Sequence, residues 1–251
     1  MRRLPLIAAL AACIGVTAVT VAWCADTTHR EETAFGKKVR AYLLAHPEVI
    51  EEAIQALQTK RDAETASLAR KAISQHVAEL TQRAGDPTLG DGPVTVVEFF
   101  DYRCSYCKAA APHIPEMVSG HKAIRLVFKD YPILSQISDT AARAALAAAR
   151  QGKYVPVHLA LMAEKSLDEA AIDRILTEKG VNLDQAHKDM KSPEVEKQLD
   201  DNRTLAKAIG VDGTPSFVIG QKMIGGFLED DILAAVKADG AHPAAAKAAG
   251  Q

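Results

Sequence analysis

The order of apolar and turn-forming segments predicts a mixed α/β domain with an inserted block of helices, preceded by a helical arm. Three observations carry this prediction. Val94 to Phe100 and Ala123 to Lys129 are short runs rich in β-branched and aromatic residues, of strand length and bounded by glycine, proline or polar clusters. Between Asp139 and Ile209 apolar residues recur only at helical spacings, and a compact pair of strand-like runs returns after Gly213. From Phe35 to about Leu57, Val39, Tyr42, Leu43, Val49, Ile50, Ala53, Ile54 and Leu57 follow a helical stripe, broken once where Pro47 starts a second helix.

Taken in order, the arm continues from Gln58 to Arg83 with Leu68, Ile73, Val77 and Leu80 spaced among charged residues and alanines, a long solvated helix or a flexible arm that buries little by itself. Gly85-Asp-Pro87 and Gly90-Asp-Gly-Pro93 punctuate the boundary, so the arm spans 26–85 and the main domain 86–239. A helix from Cys104 is expected to kink at Pro112, where a backbone donor is lost. Asp139 to Gln151 is a helix of small residues ending at Gly152. Further helices are expected around Tyr154–Lys165, Leu167–Lys179 and Pro193–Ile209, which places the insertion at about 135–205. Pro215 to Ile219 and Lys222 to Ile224 form strands about a turn at Gly220, and Leu228 to Ala238 closes the domain with a helix. The Ala-rich tail, 240–251, is expected to be disordered.

The 251 residues carry a formal net charge of −2 and no long basic or acidic block, so nothing attracts a nucleic-acid backbone. Arg2 and Arg3, the apolar run Leu4 to Trp23 and the polar residues that follow have the order of a secretory signal peptide over 1–25, with an uncleaved membrane anchor as the alternative. Both place the remainder outside the cytoplasm, in the periplasm. Of four cysteines, Cys13 leaves with such a signal and Cys24 sits at its end, so Cys104 and Cys107 are the dependable pair.

Two intervening residues close too small a loop for a structural staple, and redox chemistry is the better use of the pair. A sulfur at the first turn of a helix meets unpaired backbone N–H groups, which favours Cys104 as nucleophile. The i, i+3 spacing brings Cys107 to the same face, where it can displace what Cys104 has captured. Zinc would want four ligands, and no second such pair and no suitably spaced histidines are offered. Covalent haem wants a histidine where Lys108 stands. No metal or other cofactor is therefore expected, although two thiolates also suit copper(I), and a copper-binding module stays open as the alternative. His113 is read as a solvated helix residue, and His76, His121, His158 and His187 share no ligand spacing.

Glu98-Phe-Phe-Asp-Tyr-Arg-Cys-Ser-Tyr-Cys107, Phe128-Lys-Asp-Tyr-Pro132, Gln151-Gly-Lys-Tyr154 and Gly210-Val-Asp-Gly-Thr-Pro-Ser-Phe217 together resemble the DsbA family of thioredoxin-fold oxidoreductases, in that family's order, over about Val94 to Val236. Leu43-Leu-Ala-His-Pro-Glu-Val-Ile50 in the arm is similar to the amino-terminal segment of the suppressor-of-copper-sensitivity C proteins, periplasmic thiol–disulfide exchangers of which some form trimers through that arm. The resemblance implies a thioredoxin fold and disulfide exchange, as oxidase or isomerase, with exported proteins. It also implies a membrane partner that resets the pair and a homotrimer built through residues 35–57, whose apolar stripe could alternatively pack back on the main domain. It further implies a cis peptide at Thr214-Pro215 beside the thiols, with the Thr214 backbone pairing with substrate. Independently, a strand start is a place where proline is tolerated. Thioredoxin-like proteins carry an acid at the position of Glu98, where a partly buried carboxyl holds its proton and can shuttle it for Cys107; a polar residue at a strand edge is the alternative reading. Ser105 and Tyr106 are expected to tune the couple, an aromatic in the second place being commoner among disulfide isomerases.

Overall fold

The structure, a computed structural model, describes residues 33–241. The expected signal segment 1–25 lies outside them, as does the tail from residue 242. The chain divides between Ala56 and Leu57 into two compact units.

In the first unit, helix α1 (Ala34–Ala45) is N-capped by Thr33, whose Oγ1 accepts from the Gly36 N–H at 3.1 Å. Pro47 then opens α2 (Glu48–Gln75), in which Glu48 and Glu51 favour the positive end of the helix dipole. No residue of α1 is buried, and Phe35, Leu44, Ile50 and Ile54 all remain exposed.

The second unit takes in the end of α2, then α3 (Val77–Thr81), β1 (Thr88–Leu89), β2 (Val94–Phe100), α4 (Ser105–Ala110), α5 (Ile114–Gly120) and β3 (Ile124–Asp130). The helical block follows as α6 (Gln136–Ala149), α7 (Tyr154–Ala163), α8 (Glu169–Glu178), α9 (Leu183–Asp189) and α10 (Pro193–Ile209). The chain closes with β4 (Ser216–Ile219), β5 (Lys222–Gly225) and α11 (Glu229–Gly240). The five strands form one sheet in the order β1-β3-β2-β4-β5, with β2 and β3 parallel and the other pairs antiparallel. Mixed strands with a helical insertion are therefore what the sequence predicts, with some differences of detail.

Pro112 does more than kink its helix: α4 ends at Ala110 and α5 begins at Ile114, because the ring removes the amide that would carry the ladder onward. Strand β1 and helix α9 are short additions, the first holding only two residue pairs with β3. The Gly220 turn between β4 and β5 has φ +55°, a conformation that suits glycine, and a Cβ there would meet the Asp239 side chain.

Strand β2 is buried on both faces, which accounts for its nearly unbroken apolar run. Val94, Val96 and Phe100 point into a large cluster with Cys104, Cys107, Phe128, Phe217 and most of the inserted helices. Val97 and Phe99 point the other way, into a smaller cluster with Val127, Leu205, Ile209 and Val218. Ile73 and Leu80 belong to this second cluster and are fully buried. The main domain's core thus begins well ahead of the Asp86 boundary drawn from the Gly and Pro punctuation, and the stretch 58–83 does bury apolar surface at its end. Ile73 is the one buried residue of α2 and Leu80 that of α3, and a single buried position on each of two helices makes no stripe, so the docking was not legible there.

Lys129 and Asp86 form an ion pair almost wholly out of water on this second face, and the Lys129 Nζ also donates to the Glu79 carbonyl at 2.8 Å. Each partner satisfies the other, which is the condition under which buried charge is tolerated. Truncating Ile73 to Ala should cost about 2–5 kcal/mol in denaturant unfolding, the usual range for a buried aliphatic cavity. Leu68→Ala, on an exposed side chain of the same helix, should stay within about 0.5 kcal/mol. Equal effects at the two positions would show that Ile73 is no part of the core.

Candidate functional site

The end of β2 delivers the chain directly into the cysteine pair. Asp101, buried at the strand's end, fixes the turn: its Oδ1 accepts from the Arg103 N–H at 2.6 Å and from the Ser138 hydroxyl at 2.7 Å. Its Oδ2 accepts from the Ile133 and Leu134 N–H groups at 2.8 and 3.0 Å. One carboxylate therefore ties the cysteine loop to the 132–135 loop and to the first turn of α6. Ile133 and Leu134, held in this way, keep their apolar side chains exposed.

Cys104 is the N-cap of α4, but its sulfur makes no capping bond; the thiol donates instead to the Thr214 carbonyl at 3.1 Å. Cys107 lies one turn further on, both cysteines being free thiols. Cys104 retains 7% of its surface and Cys107 only 1%, so a partner approaching from solvent meets Cys104 first. Burial pushes the Cys107 thiol far up from its ordinary value, with the Asp101 backbone and the Thr214 side chain only partly offsetting it. Ser105 and Tyr106 project outward, Tyr106 being 76% exposed.

The Thr214-Pro215 peptide is cis. The Pro215 carbonyl accepts from the Gly226 N–H at 2.8 Å, and the Ser216 hydroxyl donates to the Gly213 carbonyl at 2.7 Å. The pairing of β4 with β2 runs from Ser216 to Ile219 and stops short of Thr214, whose backbone stays outside that ladder next to Cys104. The structure thus brings Cys104, Cys107, Thr214 and Pro215 together.

Glu98 is not at a strand edge. It sits in mid-β2, between Phe128 and Phe217 on the neighbouring strands, 1% exposed. Alternation along β2 puts it on the cluster face shared with both cysteines. Among the described residues it accepts no hydrogen bond from either thiol, and its Oε2 has no partner. Burial, reinforced by the charge of Asp130, raises its pKa to about 8.

Several side chains of this site lie outside the residues that sequence reasoning singled out. Asp130, at the end of β3, is as buried as Glu98; its Oδ2 accepts from the Tyr154 hydroxyl at 2.8 Å. Tyr102 shares a hydrogen bond of 3.1 Å with His158 Nδ1, and Phe100, Phe128 and Tyr154 surround the same imidazole. Burial pushes His158 down to about 3 and keeps it neutral. Lys108 donates to the carbonyls of Leu161, Met162 and Glu164, anchoring α4 to the end of α7. Asp130 was visible within the Phe128-Lys-Asp-Tyr-Pro132 run, but spacing alone cannot say which strand residue faces the thiols. His113 is exposed to solvent, as its sequence position suggested, and stacks on Phe227 at 6.1 Å between ring centres.

A family model described as a DSBA-like thioredoxin domain matches residues 95–236, and one described as the copper resistance protein ScsC N-terminal domain matches residues 31–64. A thioredoxin-like oxidoreductase from Silicibacter pomeroyi is 41% identical, with a TM-score of 0.62 over 64% of this chain and 95% of that one. The compact conformation of Proteus mirabilis ScsC is 28% identical, with a TM-score of 0.63 over 82% and 97%. A curated relative, the Na(+)/H(+) antiporter NhaA 3 of Salinispora tropica, is 29% identical over 58% of this chain. The chain spans only 23% of that antiporter's length. Among the described residues no helix is long and apolar enough to cross a membrane.

Glu98 holds its proton to higher pH folded than unfolded, so the native state binds more protons and stability falls as pH rises toward 8. His158 acts with the opposite sign only below its ordinary value of 6.5. Denaturation between about pH 6.5 and 8 should therefore show declining stability, up to about 1.4 kcal/mol per pH unit for each proton held by the native state alone. Glu98→Gln should reduce that slope, leaving the part that the raised Asp130 carboxyl contributes below about pH 7; an unchanged slope would remove Glu98 as a source.

Proposed function

Because the chain belongs to the family of DsbA-like thioredoxin domains and is a thiol–disulfide oxidoreductase of that type, we propose that it exchanges disulfides with exported proteins in the periplasm through Cys104 and Cys107. The observation that carries this reading is the unequal placement of two thiols beside a cis proline: Cys104, which keeps 7% of its surface, against the Thr214 carbonyl, and Cys107, which keeps 1%, one turn deeper.

In the oxidising direction a substrate thiolate attacks Cys104 Sγ of the Cys104–Cys107 disulfide. The S–S bond breaks, the electron pair leaves with Cys107 Sγ, and Cys107 takes up a proton because burial disfavours its thiolate. A second substrate thiolate then attacks the substrate sulfur of the mixed disulfide and releases reduced Cys104. In the isomerising direction Cys104 attacks a wrong substrate disulfide, and Cys107 frees the enzyme if the substrate fails to resolve itself. Thr214 offers backbone groups to an extended substrate chain, and the exposed Tyr106, Ile133 and Leu134 offer apolar surface for it. Glu98 supplies the proton for Cys107. A membrane redox partner resets the pair.

The arm supports an isomerase component. Residues 35–57 present Phe35, Leu44, Ile50 and Ile54 to solvent, an apolar stripe suited to a homotrimer that surrounds one substrate with several thiol pairs. A second reading, copper(I) held by the same two thiolates, draws on the match of residues 31–64 to the copper resistance domain. The burial of Cys107 works against a thiolate there.

Oxidation of reduced ribonuclease and refolding of scrambled ribonuclease, run side by side, separate oxidase from isomerase. Cys104→Ser should abolish both activities, and Cys107→Ser should accumulate mixed disulfides with substrate. Full activity in Cys104→Ser would overturn the assignment, and tight copper(I) binding without exchange would favour the metal reading. Light scattering should give a trimer that Leu44→Lys with Ile50→Lys reduces to a monomer; a wild-type monomer would refute the arm's role. Deleting the whole of 26–85 is unsuitable, since it removes the buried Ile73 and Leu80.

A further inference from the structure

Glu98 and Asp130 are the two buried side chains in which a polar atom has no partner, Oε2 in one and Oδ1 in the other, among the described residues. They lie on neighbouring parallel strands. The register sets Glu98 opposite Phe128 and Phe100 opposite Asp130, and alternation sends all four side chains to the face that carries the thiols. Both carboxyls are 1% exposed.

The groups that surround them supply no cation. From β3, Lys129 points to the opposite face and pairs with Asp86. From α4, Lys108 is spent on the α7 carbonyls, and Cys107 is a buried thiol. From α7 come Tyr154, which donates to Asp130, and His158, which burial keeps neutral; from the segment after β2 comes Tyr102, bonded to His158. From α10, the neutral Asn202 amide donates to the Asp130 backbone carbonyl at 3.1 Å. Two carboxylates out of water with no counter-ion repel each other, and each keeps an oxygen that no group among the described residues solvates.

We propose that Asp130 is a positioning residue for exchange: with Glu98 it forms one coupled acid behind the thiols, and its own charge keeps a proton on Glu98 for delivery to Cys107. This rests on the reading of Cys107 as the leaving sulfur. Substrate thiolate, the Cys104–Cys107 disulfide and the Glu98 carboxylic acid give the substrate–Cys104 mixed disulfide, the Cys107 thiol and the Glu98 carboxylate. The electron pair of the broken S–S bond accepts the carboxyl proton, and no outside oxidant or reductant is consumed. Burial also raises the Asp130 carboxyl, to about 7, with the Tyr154 hydroxyl opposing.

Carboxyl-carbon NMR of the reduced, full-length protein across pH tests the coupling directly. Wild type should show two steps, and Asp130→Asn a single Glu98 step at least about one pH unit below the upper wild-type step, the separation that marks coupled sites. Asp130→Glu should restore two steps. Glu98→Gln, which decides the matter if Asp130→Asn does not fold, should leave a single Asp130 step, again below the upper one. The rate of Cys104–Cys107 reduction by dithiothreitol, per thiolate, should fall at alkaline pH, and in Asp130→Asn that fall should move by the same amount. An upper step that survives unmoved refutes the coupling, and a step that moves without the rate profile refutes its link to exchange. The NMR result stands whether or not Cys104→Ser keeps activity, so failure of the exchange reading is seen separately.

Discussion

Every charged side chain around β2 answers to one constraint: the strand is shut off from water on both faces. A charge placed there must be paired, hydrogen-bonded on all sides, or neutralised by a proton. The two faces use different solutions. On the face of Val97 and Phe99, Lys129 meets Asp86 and the Glu79 carbonyl, so the buried cation is paired and hydrogen-bonded. On the face of the thiols, Glu98 and Asp130 keep oxygens that no donor reaches. The first arrangement holds α3 and the loop before β1 against the sheet. The second leaves two carboxyls whose burial favours the protonated form.

Asp101 shows the third solution, a carboxylate with four donors. Because two of those donors are amides of the 132–135 loop and one is the Ser138 hydroxyl, the cysteine loop cannot shift without disturbing the start of the helical insertion. Lys108 repeats the tie from the other side, through three carbonyls at the end of α7. The insertion is therefore part of the machinery that orients the thiols. Its alanine-rich helix α6, with most of its residues buried, allows close approach of the neighbouring helices to this joint.

The sequence made the strands, most of the helices and the cysteine pair legible because each rests on a local pattern: period-two or helical apolar spacing, a proline, a glycine turn. The burial of Ile73 and Leu80 escaped because each is the single buried position of its own helix, which makes no stripe, and their partners, Val97 and Leu205, are remote in the chain. Asp130, Tyr154 and His158 escaped for a related reason. Each looks ordinary where it stands, an acid before a tyrosine and proline, a tyrosine and a histidine in an apolar helix. Only the parallel register of β2 with β3 and the packing of α7 bring them under the cysteines. Glu98 was visible as an acid within an apolar strand, but the direction of its side chain followed from register and not from composition.

The asymmetry between the cysteines is likewise a product of tertiary structure more than of helix position. The helix they open is short, broken by the residues around Pro112, and the Cys104 thiol turns to the Thr214 carbonyl instead of capping it. What separates the two sulfurs is depth: one faces the cis-proline loop and solvent, the other faces the core that also encloses Glu98. A thiolate at that depth is costly, so a bond that opens there favours the thiol. The same burial that makes Cys107 a poor thiolate favours the protonated form of Glu98, so one feature of the fold acts on both groups in the same sense.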